Sequence, residues 1–277
     1  MGITTMTPAS AADYVAKLEV LLLAAGWTDT TLTGSNGGNI LVSAADAESR
    51  VTYIELYDDG TYVWMAVSPA LNDAGTGLHP YYVFDNRGTN VNTGVAHDVV
   101  VYDDFFFVRQ GTSAANYWLL AGCLKVNPNI VNPEITHRFS TMYGGQRTGT
   151  PSTLSLAWMN KGGGSGSHYG FSTCGIRHGL SPLIWQSPTV AGVVYYFQAE
   201  FPGDDLWCSP FWQVSSSNNV DGYGLMGRVP HCIVAYSKNK ALIVGDTVTV
   251  GGVTYQLVGT VAGIDKTTYS AWLLWEV

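Results

Sequence analysis

The chain has 277 residues, of which 46% are hydrophobic and only 12% charged, with a net charge of −8 and a pI near 5.0. That length can bury a large core, but the charged fraction is about half of the roughly 25% found in an ordinary soluble domain. An acidic chain with 13 scattered basic residues excludes a nucleic-acid partner, which needs clustered Lys and Arg, and the lack of a basic amphipathic face argues against a membrane-surface role.

A surface built from Thr, Ser, Asn and Gly is poorly protected against self-association. Cover by neighbouring copies or partner chains is one sound reason to have it. The four cysteines, Cys123, Cys174, Cys208 and Cys232, form no C-x-x-C pair and read as free buried thiols. The start, Met1-Gly2-Ile3-Thr4-Thr5-Met6, has neither the basic nor the apolar region of a signal peptide, and Met6 breaks the myristoylation pattern. No run approaches the roughly 20 apolar residues of a membrane helix. These readings predict a soluble protein made in a cytoplasm without an export signal of its own.

In chain order, one helix comes first. Ser10 caps it and Asp13 completes a capping box. Val15, Leu18, Leu22 and Ala25 recur at helical spacing, Leu21 widens the stripe, and Gly26 ends it. Such a helix packs on the sheet that follows; the alternative is an arm docked on a neighbouring subunit. Asn36-Gly37-Gly38 reads as a turn. Val51 to Tyr57 and Thr61 to Val67 flank Asp58-Asp59-Gly60 and read as a hairpin in which the acidic pair is turn chemistry. Pro69 to Pro80 is a loop, Tyr81 to Phe84 a short strand, and Asp85 to Gly94 another loop.

His97 to Lys125 holds the most apolar stretch. Val99 to Val108 and Tyr117 to Leu124 are joined by Arg109 to Asn116 and predict two central antiparallel strands. Both runs are too continuously apolar to leave one face in water, so the sheet is expected to be covered on both faces. Asn127-Pro128-Asn129 and Asn132-Pro133-Glu134 then mark a break. It divides the chain into residues 1–126, a helix plus an antiparallel β body, and residues 127–277, a second β part packed on the first or continuous with it.

Beyond the break, Leu154 to Met159, Pro182 to Trp185 and Val193 to Phe201 read as short strands, with an aromatic group at Trp207, Phe211 and Trp212. Gly162 to Ser167 has linker composition. Asp246 to Val250, Gly251-Gly252 and Val253 to Val258 form a two-residue hairpin, and Tyr269 to Glu276 a final strand. The predicted fold is mainly β: an antiparallel sandwich or barrel-like body with one N-terminal helix.

Chemistry is thinly signalled. His168, Cys174 and His178 are the only closely spaced ligand types. Their frame is Gly-rich and a fourth ligand is missing unless Cys208, His231 or Cys232 folds back, so no metal site is assigned. Gly163-Gly164-Ser165-Gly166 misses the serine-hydrolase pattern and its strand-to-helix elbow. Glu55, Asp104, Glu134, Glu200, Asp204 and Asp205 could serve a glycosidase, but nothing in the sequence pairs two of them. The sequence therefore assigns no catalytic, cofactor-binding or metal-binding residue and calls for no cofactor. Nine Trp and sixteen Tyr suit a large β core, interface contacts or sugar stacking.

The opening helix followed by Gly26-Trp27-Thr28, the Phe105-to-Val108 and Tyr117-to-Leu124 pair, and the ending from Gly222 through Pro230, Gly245-Asp246 and Gly251-Gly252 to a Trp-rich strand share a texture. In this the chain resembles virion structural proteins of tailed bacteriophages, those of tail, neck and baseplate assemblies above all. The resemblance implies a non-enzymatic subunit made in the host cytoplasm and repeated in the virion as an oligomeric ring or collar. Its partners would be copies of itself and other virion proteins, with neither nucleic acid nor membrane among them. The segments expected to touch neighbours are Ser10 to Ala25 and the loop near Gly164, and deletion of Met1 to Gly26 is expected to disturb assembly more than the β core. The alternatives are a carbohydrate- or receptor-binding β protein, marked by an exposed aromatic row, and a β-sandwich hydrolase, marked by facing carboxyls.

Overall fold

The computed structural model describes residues 2–79, 84–90, 93–109, 118–123, 125–126, 140–144, 155–160, 168–173, 206–215, 224–237, 242–259 and 270–277. Its first part runs β1 (Gly2–Met6), α1 (Ala11–Ala24), β2 (Thr28–Thr33), β3 (Asn39–Val42), β4 (Tyr53–Asp58), β5 (Tyr62–Ser68), β6 (Phe84–Asn90), β7 (His97–Val101), β8 (Phe105–Arg109), β9 (Trp118–Gly122) and β10 (Lys125–Val126). The strands β11 (Ser140–Gly144), β12 (Ser155–Asn160), β13 (His168–Thr173), β14 (Trp207–Ser215), β15 (Gly224–Ser237), β16 (Thr247–Val250), β17 (Val253–Gly259) and β18 (Ser270–Glu276) follow. The protein is mainly β, with α1 the single helix among the described residues, as the sequence predicts.

Among the described residues all strand pairs are antiparallel. A five-stranded sheet runs in sequence order from β2 to β6, and a thirteen-stranded sheet runs β1-β7-β8-β9-β11-β12-β13-β14-β15-β18-β17-β16, with β10 beside β15. The pairing of β9 with β11 carries the large sheet across residues 126 and 127.

The helix has both expected ends. Ser10 Oγ accepts from the Asp13 N–H at 3.1 Å, while the Asp13 carboxylate reaches one residue further back, to the Ala9 N–H at 2.6 Å. At the other end Gly26 adopts a φ of +107°. The Gly26 and Trp27 N–H groups then bond the Leu23 and Leu22 carbonyls, which is a Schellman closure. Tyr14, Leu18 and Leu22 are fully buried and share one core with Leu41, Ile54, Leu56, Val63, Met65 and Val67 of the small sheet and Val99, Val101, Phe106 and Val108 of the large one. Burial of each of these leucines contributes about 1.5–3 kcal/mol. α1 is therefore a core element rather than a detachable arm. The loss of Met1 to Gly26, expected to disturb assembly or solubility more than the β core, would strip this core of its helix and of β1, which pairs with β7.

Val99 to Val108 is not one strand. It breaks at Tyr102 to Asp104 into β7 and β8, which fold back on each other as a tight hairpin closed by Tyr102 N–H donating to the Phe105 carbonyl at 2.7 Å. A straight strand would drive one of two adjacent carboxylates into the core, and an uncompensated buried charge is costly. The turn puts both at the margin. The expectation of cover on both faces holds, however: Phe106 and Val108 face the helix core, while Phe105 and Phe107 stack on Trp275 of β18 at 5.8 and 4.5 Å. The large sheet thus folds over on itself, sandwich-fashion, with β8 in the middle.

A further difference concerns Asp85 to Asn90, expected as loop, which belongs to β6 and pairs with β5. The strand β1 carries no sequence signal of its own. Pro182 to Trp185 and Val193 to Phe201 lie outside the described residues.

Candidate functional site

The carboxylates that might suggest catalysis mostly hold turns. Asp58 accepts from the Gly60 N–H, and Asp59 accepts from the Thr61 and Tyr62 N–H groups and from Trp64 Nε1, at 2.8 to 3.0 Å. This is the turn chemistry read from the sequence. Glu55 is buried, and its Oε1 accepts the N–H groups of Asn36 at 2.8 Å and Gly38 at 3.3 Å, while Oε2 accepts Asn36 Nδ2 at 3.2 Å. A Cβ on Gly34 would lie 2.0 Å from the Glu55 carboxyl carbon, so glycine there lets the chain close over the charge.

His168 is on β13; Cys174, His178, Gly162 to Ser167, Glu134, Glu200, Asp204 and Asp205 lie outside the described residues. Among the described residues no group of three or more His, Cys, Asp or Glu is placed to hold a metal ion. Cys123, Cys208 and Cys232 are free thiols. Burial pushes all three up, Cys123 to about 11, so they stay protonated near neutral pH, where only a thiolate would be a nucleophile.

One cluster that the sequence did not reveal stands apart. Between β14 and β15 the register slips, so that Val229, Pro230, His231 and Cys232 lie opposite the single residue Phe211. This bulge is where β15 leaves β10 and joins β18. His231 sits in it with a φ of +55°, in the left-handed region that a non-glycine residue enters at a cost. The bulge turns its ring inward to three groups. Nε2 lies 2.8 Å from Asp104 Oδ1, Nδ1 lies 3.1 Å from Glu276 Oε2, and the Tyr102 ring stacks on the imidazole at 3.9 Å and 15°. The Tyr102 hydroxyl donates to the Glu276 carbonyl at 2.7 Å, and Trp27 Nε1 donates to the Tyr102 carbonyl at 2.9 Å.

A neutral imidazole has one N–H, so both contacts can be hydrogen bonds only when the ring is doubly protonated. Burial opposes the charge, but the Asp104 and Glu276 carboxylates outweigh it and hold the His231 pKa above its ordinary value. Both ring nitrogens are thus engaged by the protein. The cluster joins the β7–β8 turn, β15 and β18.

The chain matches no family model and no curated protein.

The surface is more informative than the clefts. Ala12, Ala16, Val20 and Leu23 form an exposed stripe on α1 opposite its buried face, with Val20 65% and Leu23 43% exposed. Glu19 borders the stripe on one side and the Asp13–Lys17 ion pair on the other. Helices that are apolar on both faces are normally buried on both. Exposed apolar residues also flank β16, the end strand of the large sheet, with Ile243 and Val244 before its start and Val250 at its other end. On the β4–β5 hairpin, Tyr57 and Trp64 lie parallel at 6.2 Å, with Tyr62 edge-on to Trp64 and 40% exposed. Among the described residues no helix is long and apolar enough to cross a membrane.

Proposed function

We propose that this protein is a non-enzymatic structural subunit that assembles with copies of itself, as a ring- or collar-forming virion protein of a tailed phage would. The observation that carries the reading is the outward stripe of α1. Four apolar positions at helical spacing face solvent on a helix whose other face is already buried. A ring contact is heterologous and needs two different patches on each copy. The α1 stripe and the exposed Ile243–Val244 pair beside the sheet's end strand supply two. The low charge of the chain supports the same reading, since few charges oppose close approach of like surfaces.

The test is the double variant Val20→Lys with Leu23→Lys, run beside the parent on size-exclusion chromatography. Lysine keeps the helix and suits its last turn, so melting should stay within about 0.5 kcal/mol of the parent. The variant should elute as a much smaller species. Elution of parent and variant at the same large size would remove α1 from the contact.

The hairpin aromatics, Tyr62 exposed and Tyr57 and Trp64 half-buried, favour a second reading, a carbohydrate- or receptor-binding β protein, because Tyr and Trp faces stack on sugar rings. A glycan screen in which Trp64→Ala abolishes a positive signal would favour it.

A further inference from the structure

We propose that Asp104, His231 and Glu276 form a pH-operated latch that holds the folded-over large sheet shut while His231 is an imidazolium. The inference rests on the fold alone and stands whether or not the protein assembles. Three observations meet here. The latch spans the fold-over, because Asp104 belongs to the β7–β8 turn of the middle layer and the other two residues belong to β15 and β18. His231 is held in a left-handed conformation at the point where β15 changes partners, so the backbone carries a strain that the side-chain contacts must offset. Both ring nitrogens face carboxylate oxygens at hydrogen-bonding distance, an arrangement that only the charged ring satisfies.

Loss of one proton turns one of these contacts into a lone pair facing a carboxylate. The Glu276 contact is the longer, at 3.1 against 2.8 Å, and the Glu276 side chain is 31% exposed against 19% for Asp104. Glu276 is therefore the side that parts. The other titratable groups around the cluster do not compensate. Tyr102 is pushed up by burial and by Cys232, Glu276 and Asp104, Cys232 is pushed up by burial, and Tyr255 of β17 acts on Tyr102.

The direction follows from linkage. The folded-state pKa of His231 lies above the ordinary 6.5, so its stabilisation is complete below pH 6.5 and is lost as pH rises through the folded-state value. Two readouts on the full chain test this. A histidine-labelled NMR titration should place the His231 midpoint above 6.5, and Glu276→Gln should bring it down. In thermal melts the advantage of the parent over His231→Gln should be largest below pH 6.5 and shrink at higher pH. A midpoint at or below 6.5, or one that Glu276→Gln leaves in place, would overturn the latch, and the titration decides the matter even where His231→Gln fails to fold.

Discussion

Glu55 shows how one buried charge can look like chemistry and serve architecture. Its carboxylate closes the Gly34–Gly38 turn by accepting two backbone N–H groups and the Asn36 amide. Glu55→Ala takes the acceptor from three donors at the exposed Asn36 and the half-buried Gly38, at a cost of about 1 kcal/mol for each hydrogen bond. A chemical melt should show a loss of at least about 2 kcal/mol, with the cooperativity of unfolding unchanged. Gly122 is the other sensitive position, because a Cβ there would stand 2.7 Å from the Asp104 carbonyl. Gly122→Ala should therefore displace the turn that carries Asp104 and lower the pH sensitivity of unfolding along with stability. At this scale the sequence was legible only where partners are neighbours. The Asp58-Asp59 turn could be read because its donors lie two to five residues away. The His231 cluster could not, because its partners lie 127 and 45 residues distant and no spacing rule links them.

Among the elements, the helix and the hairpins were legible for the same reason. Capping, periodicity and paired glycines are local signals. The Gly251-Gly252 turn is as expected, with both residues at positive φ and Val250 opposite Val253. The Val99 to Val108 run was misread as one strand because apolar continuity gives a strand's burial but not its ends. The stop came from two carboxylates whose destinations are tertiary. The structure divides α1 into two faces, and each makes a separate prediction. Leu18→Ala on the inner face should cost about 2–5 kcal/mol in a denaturant melt. The lysine pair at Val20 and Leu23 on the outer face should leave that melt nearly unchanged and alter only the size of the particle.

For the whole molecule, the large sheet folds over so that β8 is covered by the helix and small sheet on one side and by Trp275 of β18 on the other. Coverage on both faces was readable in the apolar runs, but which strands supply the cover was not, since β8 and β18 are far apart in sequence. Among the described residues, the α1 stripe and the Ile243–Val244 pair remain exposed outside this packing, and both are explained if neighbouring copies cover them. Light scattering of the purified chain over a range of concentrations tests that claim most directly. The account predicts a discrete mass of several 29.8 kDa subunits, or growth toward one as concentration rises. A single 29.8 kDa species that persists across the whole range would contradict it.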